Sequence, residues 1–428
     1  MSKLHRVLVF PSGSEIGLEV IRSLKNQKDV EVFAGTTEQN FTEALLPKDR
    51  ITFVESVYSK SFESSIRSAC LGLKIDFIIP AHDDVVTTLA KIDFEKAQVI
   101  SHSSKTVTCL RSKKTTYESL NDVVACPKIF SFHEISEESK FPLFLKPDIG
   151  QGSKGTKLVK SFEDFKKSYS KELLILEYLP GDEFTIDCFT NSKGELIFHQ
   201  GRKRIRIING ISARATFVEN EKFGCYARAI NSRFQFCGAW FFQLKSDDKN
   251  ELKLLEVGAR ISGTSGMLRP LGVNLPYLSV LQASGLTVST SLNRPNILLE
   301  RSISPVFILQ DDFDNLYVDL DDTLIIRNKV NPSVVRLIFD FINLKKKVFC
   351  ITRHNKCPKQ TLSHFRLLNV FDDIIHLQQS EPKSSSMLPN SLLIDDSYRE
   401  RSDVQQNGHF AISPDSSDEI LICNKEEI

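Results

Sequence analysis

Short apolar segments alternate with amphipathic segments at the start of the chain. Apolar runs predict four buried strands, at residues 6–10, 30–35, 51–54 and 76–80. Between the first two, the spacing of apolar residues over 16–26 predicts an amphipathic helix. Strands that alternate with helices are typical of a parallel sheet covered on both faces. We therefore expect a nucleotide-fold α/β domain at residues 1–105.

The turn after the first predicted strand contains Gly13 and Gly17, two of the three glycines of a dinucleotide-binding loop. One interpretation is a bound nicotinamide cofactor. The other is a nucleotide-type fold that keeps the turn without the ligand. The missing third glycine favours the second interpretation.

The rest of the chain divides by pattern into two further regions. Residues 106–312 mix short strands, glycine-rich turns and helices without regular alternation, which predicts an α+β domain. Residues 313–428 alternate again, with strands expected at 316–320, 348–352 and 391–395 and helices at 332–344 and 360–369. The polar run at 311–315 is the expected linker. The sequence thus predicts a multidomain protein of α/β and α+β type.

Composition narrows the class of protein. Hydrophobic residues make up 41% and charged residues 25% of the 428 residues, as in ordinary globular proteins. The 55 Lys and Arg nearly cancel the 54 Asp and Glu, so no global charge favours nucleic acid or a membrane surface as a partner. No apolar stretch has the length of a membrane helix, and the apolar run near the N-terminus is too short for a signal peptide.

The nine cysteines are scattered singly, without metal-ligand spacing, and an odd number fits a disulfide framework poorly. They are expected to be reduced thiols, which favours a cytoplasmic protein. The sequence does not determine the oligomeric state, and a homo-oligomer is compatible with it.

A glycine-rich turn follows a predicted strand that ends in Lys146. The turn contains Gly150, Gly152, Ser153 and Gly155. Small residues let backbone N–H groups approach phosphate oxygens, and a lysine adds the charge that a triphosphate needs. The alternative interpretation is an ordinary turn. A second lysine, Lys113, begins a helix-like segment upstream.

Four acidic or amide positions complete the pattern. The strand-like segment 173–179 carries Glu177, and Glu183 follows it; the backbone of such a strand end can bind an adenine edge, although a solvated charged turn is the plainer explanation. Gln243 and Glu256 lie on two strand-like segments that we expect to be neighbours. Side-chain oxygens that meet over a triphosphate suit Mg²⁺.

The order and spacing of these motifs closely resemble the ATP-grasp superfamily, and within it the branch of carbamoyl-phosphate synthetase, biotin carboxylase and their amino-acid ligase relatives. The resemblance covers about residues 1–300. It implies a Rossmann-like domain at 1–105 followed by an ATP-grasp fold at 106–312. It also implies a carboxylate–amine ligase that acts on small molecules, uses ATP and Mg²⁺ (Mn²⁺ being an alternative ion) and forms an acyl phosphate.

The resemblance implies roles residue by residue. The nucleotide-binding residues would be Lys113 and Lys146 on phosphates, Gly150, Gly152, Ser153 and Gly155 in a flap over them, Glu177, Tyr178 and Leu179 at adenine, and Glu183 on ribose. Gln243 and Glu256 would bind Mg²⁺, and Arg260 would stabilise the transferred phosphate. The family usually has asparagine where this chain has Gly258, which leaves one ligand fewer for a second Mg²⁺.

Three arginines, Arg202, Arg204 and Arg206, alternate along a strand-like segment and are expected to share one face. A solvated basic face is one explanation. The other is a cationic wall for the substrate carboxylate or the acyl phosphate.

A cluster of aspartates follows the first predicted strand of the third region. Asp319, Asp321 and Asp322 stand at the end of an apolar run, where so much negative charge is costly unless a cation binds there. Thr352 ends a later strand, and another strand ends in Asp395 and Asp396; Lys383 stands before it. These positions predict a Mg²⁺ site.

The set resembles the four motifs of the haloacid dehalogenase-like superfamily over about residues 313–428, and so implies a Rossmannoid phosphatase domain. Asp319 would be the nucleophile, Asp321 the general acid–base, and Thr352 and Lys383 would bind the phosphoryl group. Asp319, Asp321, Asp395 and Asp396 would form the metal site. The gaps between the motifs are too short for a cap domain.

The favoured hypothesis is a bifunctional enzyme whose ligase and phosphatase serve one biosynthetic pathway. A second is a ligase with a non-catalytic or regulatory phosphatase-like domain. A third is a nucleotide-binding regulatory protein without turnover.

Overall fold

Contacts divide the chain into two units, Met1–Ser302 and Ile303–Ile428. The structure, a computed structural model, describes residues 3–150, 152, 154–293, 297–302, 305–309 and 311–422. The boundary between the units lies ahead of the polar run at 311–315. The division expected between residues 105 and 106 lies inside the first unit.

The first sheet of the N-terminal unit is parallel, with strand order β3-β2-β1-β4-β5. Its elements are β1 (His5–Phe10), α1 (Glu15–Leu24), β2 (Val30–Thr36), β3 (Ile51–Phe53), α2 (Phe62–Gly72), β4 (Phe77–Pro80), α3 (Asp83–Leu89) and β5 (Gln98–Val99). The four predicted strands and the predicted helix are confirmed within one to two residues at their ends. β1 is central, and Val7, Leu8 and Val9 are buried between helices on both faces.

Both glycines of the first turn have packing reasons. A Cβ on Gly17 would stand 2.3 Å from the carbonyl oxygen of Pro11, and one on Gly13 would stand 2.5 Å from the Asn40 side chain. Ser14 caps α1 by accepting a hydrogen bond from the Gly17 backbone N–H. The turn therefore needs these glycines whether or not a ligand binds.

A four-stranded antiparallel sheet, ordered β6-β9-β7-β8, comes next. Its region contains α4 (Ser104–Arg111), α5 (Lys113–Leu120), β6 (Ile129–Phe130), β7 (Leu143–Pro147), β8 (Lys157–Val159), α6 (Phe162–Ser168) and β9 (Leu173–Glu177). Leu143, Leu145 and Ile175 pack beneath α6 around the buried ring of Phe165. This small layer carries the glycine-rich turn between β7 and β8.

A larger antiparallel sheet, ordered β14-β13-β10-β11-β12-β15, completes the N-terminal unit. Its elements are β10 (Glu183–Thr190), β11 (Leu196–Ile208), β12 (Ile211–Phe217), α7 (Glu221–Arg233), β13 (Gly238–Ser246), β14 (Leu252–Gly258), α8 (Leu275–Ala283) and β15 (Leu298–Glu300). One face is apolar: Trp240 and Phe242 alternate along β13 and pack with Phe223 of α7. The opposite face carries polar side chains.

The C-terminal unit has a five-stranded parallel sheet, ordered β21-β20-β17-β22-β23. Its elements are β16 (Phe307–Leu309), β17 (Asn315–Val318), β18 (Ile325–Ile326), β19 (Lys329–Val330), α9 (Pro332–Asn343), β20 (Lys347–Thr352), α10 (Pro358–His364), β21 (Asp373–His376), β22 (Ser391–Ile394), α11 (Tyr398–Gln406), β23 (Phe410–Ile412) and β24 (Ile420–Ile422). The helix expected at 360–369 begins earlier and ends earlier, because Arg366 adopts a left-handed conformation (φ 61°) that stops it.

The helices that the described residues form include none with both the length and the apolar character needed to cross a bilayer. Short 3₁₀ helices occur at Phe41–Ala44, Lys48–Arg50, Phe132–Glu134, Ser265–Leu271, Leu368–Val370, Lys383–Ser386 and Pro414–Asp418.

Candidate active sites

The polar face of the large sheet arranges its side chains in rows across the strands. In one row Arg202, Thr185, Gln243 and Glu256 are successive neighbours on β11, β10, β13 and β14. Gln243 and Glu256 are therefore directly opposite each other, as expected for two ligands of one cation. Side chains opposite each other on antiparallel strands have Cβ atoms about 5 Å apart, close enough to share an ion.

A cavity lies between this face and the small sheet. Its lining includes most of the residues expected to bind nucleotide or metal: Lys113, Lys146, Gly150, Gly152, Glu177, Tyr178, Leu179, Glu183, Gln243 and Glu256. Gly155 is not among the lining residues; its positive φ of 74° serves the turn, and Ser153 lies outside the described residues. The cavity is also lined by Arg204 and by three residues that the sequence analysis did not single out: Tyr117, Lys154 and Lys245.

The two expected phosphate-binding lysines point into this cavity. The Lys146 ammonium donates to the Leu255 carbonyl at 3.1 Å, and burial lowers the pKa of Lys146 to about 8 despite the nearby Glu256 carboxylate. The Lys113 ammonium donates to the carbonyls of Asp148 and Gly150, at 3.2 and 3.0 Å, and burial lowers the pKa of Lys113 too. The buried ammonium groups of Lys113 and Lys146 lie near a single carboxylate, that of Glu256, and this excess of positive charge suits the binding of a polyanion.

Ion pairs hold the acids that were expected to contact adenine and ribose. Glu183 contacts Arg204 and lies 3.4 Å from the Lys245 ammonium, while Glu177 contacts Lys253. These pairs fix both carboxylates at the cavity wall.

Two of the three alternating arginines, Arg202 and Arg204, line the cavity that also contains Arg260, whereas Arg206 does not. The expectation that all three share one face is therefore wrong at Arg206. Arg202 is buried (1% exposed) and paired with Asp187 at 2.9 Å, whereas Arg206 is 52% exposed and lies 2.7 Å from Glu300. The register of β11 against β12 shifts between Arg204 and Arg206, which breaks the alternation of side chains. Of the three, Arg204 alone lines the cavity between the two sheets, and it lines the adjoining cavity together with Arg202.

Arg260 lies in an adjoining cavity that shares Arg204, Gln243 and Glu256 with the first. Both oxygens of Asp83 accept from its guanidinium, at 2.7 and 2.8 Å. Burial raises the pKa of Asp83, but Arg260 outweighs it and holds that pKa below its usual value. Asp83 begins α3, which follows β4 of the first sheet, so this helix positions Arg260.

The Phe241 ring explains why Gly258 stands where an asparagine was expected. Phe241 and Gly258 are cross-strand neighbours, and a Cβ on Gly258 would stand 2.2 Å from the ring. The guanidinium of Arg260 lies 5.1 Å from the centre of the same ring. An aromatic side chain thus fills the space of the missing side chain. Phe241 stands two residues before Gln243 in the sequence, and this i, i+2 spacing on a strand predicts that both side chains lie on the same face.

Replacing Gly258 with alanine is expected to destabilise the N-terminal unit by about 1–3 kcal/mol, since the Phe241 ring must leave its place over Arg260. The denaturant midpoint of unfolding measures this change. Gly72→Ala is the matched control, because no atom lies within 4 Å of a Cβ at that position. Equal midpoints for the two variants would show that Phe241 does not restrict position 258.

In the C-terminal unit, a buried lysine bridges two aspartates. The Lys383 ammonium lies 2.6 Å from a carboxylate oxygen of Asp319, at the end of β17, and 2.6 Å from one of Asp395, at the end of β22. Because β17 and β22 are parallel neighbours, their carboxyl ends meet at one edge of the sheet. The sequence separated these residues widely, and the topology brings them together.

One lysine does not neutralise the local negative charge. Ligand oxygens of Asp319, Asp395 and Asp396 lie within 4.8 Å of one another. Burial raises the pKa of Asp319 to about 7, helped by Asp395 and Asp396 and opposed by Lys383. The pKa of Asp395 is also raised, chiefly by burial. Such a surplus of oxygen ligands and charge fits a divalent cation.

The remaining expected residues flank this cluster. Thr352 is buried at the end of β20, beside β17. The Thr323 hydroxyl accepts from the Asp396 backbone N–H at 2.9 Å. In the described part of the chain, the carboxylate of Asp321 is not among the oxygens that lie close enough together to share one metal ion. It contacts His354 instead, a residue that the sequence analysis missed.

Comparisons with known proteins agree on the fold of the N-terminal unit. A family model described as ATP-grasp in the biosynthetic pathway with Ter operon matches residues 169–300. The chain is similar in structure to biotin carboxylase from Campylobacter jejuni in complex with β,γ-ATP: TM-score 0.56, 15% identity, covering 67% of this chain and 72% of that one.

Two further structures are similar. The biotin carboxylase domain of Hydrogenobacter thermophilus 2-oxoglutarate carboxylase, bound to MgADP and bicarbonate, has TM-score 0.55 and 17% identity, covering 68% of this chain and 72% of that one. N5-carboxyaminoimidazole synthetase from Staphylococcus aureus with ADP has TM-score 0.54 and 15% identity, covering 68% and 81%. Among curated proteins, none matches this chain in sequence. The chain therefore contains an ATP-grasp fold.

Proposed function

We propose that the N-terminal unit is a ligase that uses ATP and Mg²⁺ to join a small carboxylate to an amine. One observation carries this proposal: Lys113 and Lys146 from the small-sheet region and Gln243 and Glu256 from the large sheet converge on one cavity. The ATP-grasp fold around that cavity supports it. The solved structures that this chain resembles are complexes with β,γ-ATP or ADP.

The residues of the cavity suggest how the chain would work. Lys113 and Lys146 would bind the phosphates, and Gln243 with Glu256 would hold Mg²⁺, which supplies charge neutralisation at the phosphates when bound. The adjoining cavity would hold the carboxylate, with Arg260 at the transferred group. The carboxylate oxygen would attack the γ-phosphorus and ADP would leave; the amine would then displace phosphate from the acyl phosphate. Positioning would supply most of the acceleration.

Release of ADP from ATP tests the ligase proposal. The purified chain would be given a panel of carboxylates and amines, singly and in pairs, with Mg²⁺. We expect ADP release that needs a matched pair. ADP release that is independent of both compounds, or its absence with every pair, would contradict the ligase activity and favour a nucleotide-binding protein without turnover.

Nucleotide affinity is expected to fall as pH rises through 8. The buried Lys146 has a pKa of about 8, so below that pH it is charged and attracts phosphate. Above it, the affinity for ADP should weaken by up to about tenfold per pH unit. Calorimetric titration with ADP between pH 7 and 9.5 measures the slope. Lys146→Arg keeps its charge and should flatten the profile; parallel profiles would exclude Lys146 as the titrating group.

For the C-terminal unit we propose a phosphohydrolase of haloacid dehalogenase-like type with an aspartate nucleophile. The contacts of Lys383 with both Asp319 and Asp395 support this, because the site pairs a nucleophile with a phosphate-binding cation. An oxygen of Asp319 would attack phosphorus, and Asp321 would protonate the leaving oxygen. Water would then hydrolyse the aspartyl phosphate. Asp319, Asp395 and Asp396 would hold Mg²⁺.

Release of inorganic phosphate from 4-nitrophenyl phosphate in the presence of Mg²⁺ tests this second activity. The two activities would serve one biosynthetic pathway; the matching family model is described as an ATP-grasp in a biosynthetic pathway. Phosphate release that EDTA does not suppress would argue against a metal at the aspartate cluster.

A further inference from the structure

His354 contacts the carboxylate expected to act as the general acid. Its Nδ1 atom lies 2.8 Å from one oxygen of Asp321 and 3.0 Å from the other. The imidazole is largely buried (14% exposed), while the Asp321 side chain is 57% exposed. A fixed ring therefore contacts a carboxylate that would otherwise move freely in solvent.

Three further contacts fix the ring and its backbone. The Nε2 atom lies 2.8 Å from the Thr361 hydroxyl on α10. The backbone N–H donates to the Thr352 hydroxyl at 3.2 Å, and the backbone carbonyl accepts from His376 at 2.8 Å. With its proton on Nδ1, His354 donates to a carboxylate oxygen of Asp321, and its Nε2 accepts from the Thr361 hydroxyl. The chain of donors runs from Thr361 through His354 to Asp321.

We propose that His354 is the positioning residue of the phosphohydrolase site: it orients Asp321 toward the oxygen of the leaving group. The inference rests on the proposed phosphohydrolase activity. His354 exchanges no proton in this scheme. Asp321 gives its proton to the leaving oxygen as the phosphorus–oxygen bond breaks and the Asp319–phosphorus bond forms, and it later takes a proton from the attacking water.

In the step that forms the Asp319–phosphorus bond, orientation of the acid matters only where the leaving group needs a proton. A 4-nitrophenolate departs without protonation, whereas an alkoxide must be protonated as it leaves. A defect in the position of Asp321 therefore slows this first step selectively for alkyl phosphates, while the later hydrolysis of the aspartyl phosphate is common to both substrates. A general loss of structure in the site would affect both kinds of substrate.

The test compares kcat/KM, which reports the steps up to departure of the leaving group, for 4-nitrophenyl phosphate and for a simple alkyl phosphate in full-length variants. We expect His354→Ala to lower kcat/KM for the alkyl phosphate tenfold or more and to leave that for 4-nitrophenyl phosphate within about twofold. His354→Asn, whose amide can occupy the place of Nδ1, should restore most of the alkyl activity. His354→Gln, whose amide mimics Nε2, should not. In an Asp321→Asn background, His354→Ala should cause no further loss.

Thr361→Val tests the same chain without altering His354 or Asp321, and it should give a smaller loss with the same selectivity. Equal losses for both substrates, or no loss for either, would overturn the role of His354. Asp319→Asn separates this inference from the proposed activity. If Asp319→Asn still hydrolyses both substrates, the phosphohydrolase mechanism fails; if it is inactive and the His354 variants are unselective, only the positioning role fails.

Discussion

Asp319→Asn is expected to lower phosphate release from 4-nitrophenyl phosphate by roughly 10³-fold or more. Asparagine has the shape of aspartate but cannot form the aspartyl phosphate, so the path through a covalent intermediate closes. The buried Asp319 lies 2.6 Å from Lys383, at the meeting point of β17 and β22.

The variant should remain folded. Burial raises the pKa of Asp319 to about 7, so the ionised form is unfavourable in the metal-free protein. A raised carboxyl pKa means that the stability associated with this group is full below its ordinary pKa and is lost as pH rises through about 7. Asparagine avoids that loss, and Lys383 keeps its contact with Asp395.

Steady-state hydrolysis at pH 8 with Mg²⁺, together with a thermal melt, measures both effects. Asp322→Asn is the matched control, because it makes the same chemical change on an exposed side chain in the same loop. Asparagine also tolerates the left-handed backbone of that position (φ 54°). Hydrolysis by Asp319→Asn at the rate of the Asp322→Asn control would exclude Asp319 as the nucleophile.

The sequence was sufficient where local pattern decides structure. Strands β1, β2 and β4 were predicted from apolar runs, because a buried parallel strand needs little else. Gln243 and Glu256 could be placed on neighbouring strands for the same reason: alternation along each strand assigns a face. Their roles as metal ligands remain predictions.

Long-range partners could not be predicted. Arg202, Arg204 and Arg206 look equivalent in the sequence, yet a shift of register and the buried Asp187 give them three different environments. The Phe241 ring that fills the space at Gly258 depends on the pairing of β13 with β14. Contacts of this kind are set by tertiary packing, which a single sequence does not encode in any local period.

Glu256→Gln is expected to reduce substrate-dependent ADP release by roughly 10²-fold or more. The change keeps the shape of the side chain but removes its charge. It therefore takes the only carboxylate from the Gln243–Glu256 pair proposed to hold Mg²⁺. It also takes away the group that raises the pKa of Lys146 and of Lys113 against the effect of burial.

These two losses can be separated by experiment. Loss of a metal ligand should be partly relieved by more Mg²⁺. Loss of support for Lys146 should be relieved by lower pH, because its pKa, about 8 in the parent, falls further without Glu256. ADP release measured across Mg²⁺ concentration and pH distinguishes them. Glu251→Gln, an exposed position just before β14, is the matched control. If Glu256→Gln and Glu251→Gln release ADP equally fast, Glu256 does not bind the metal, and the proposed ligase site loses its principal anionic ligand.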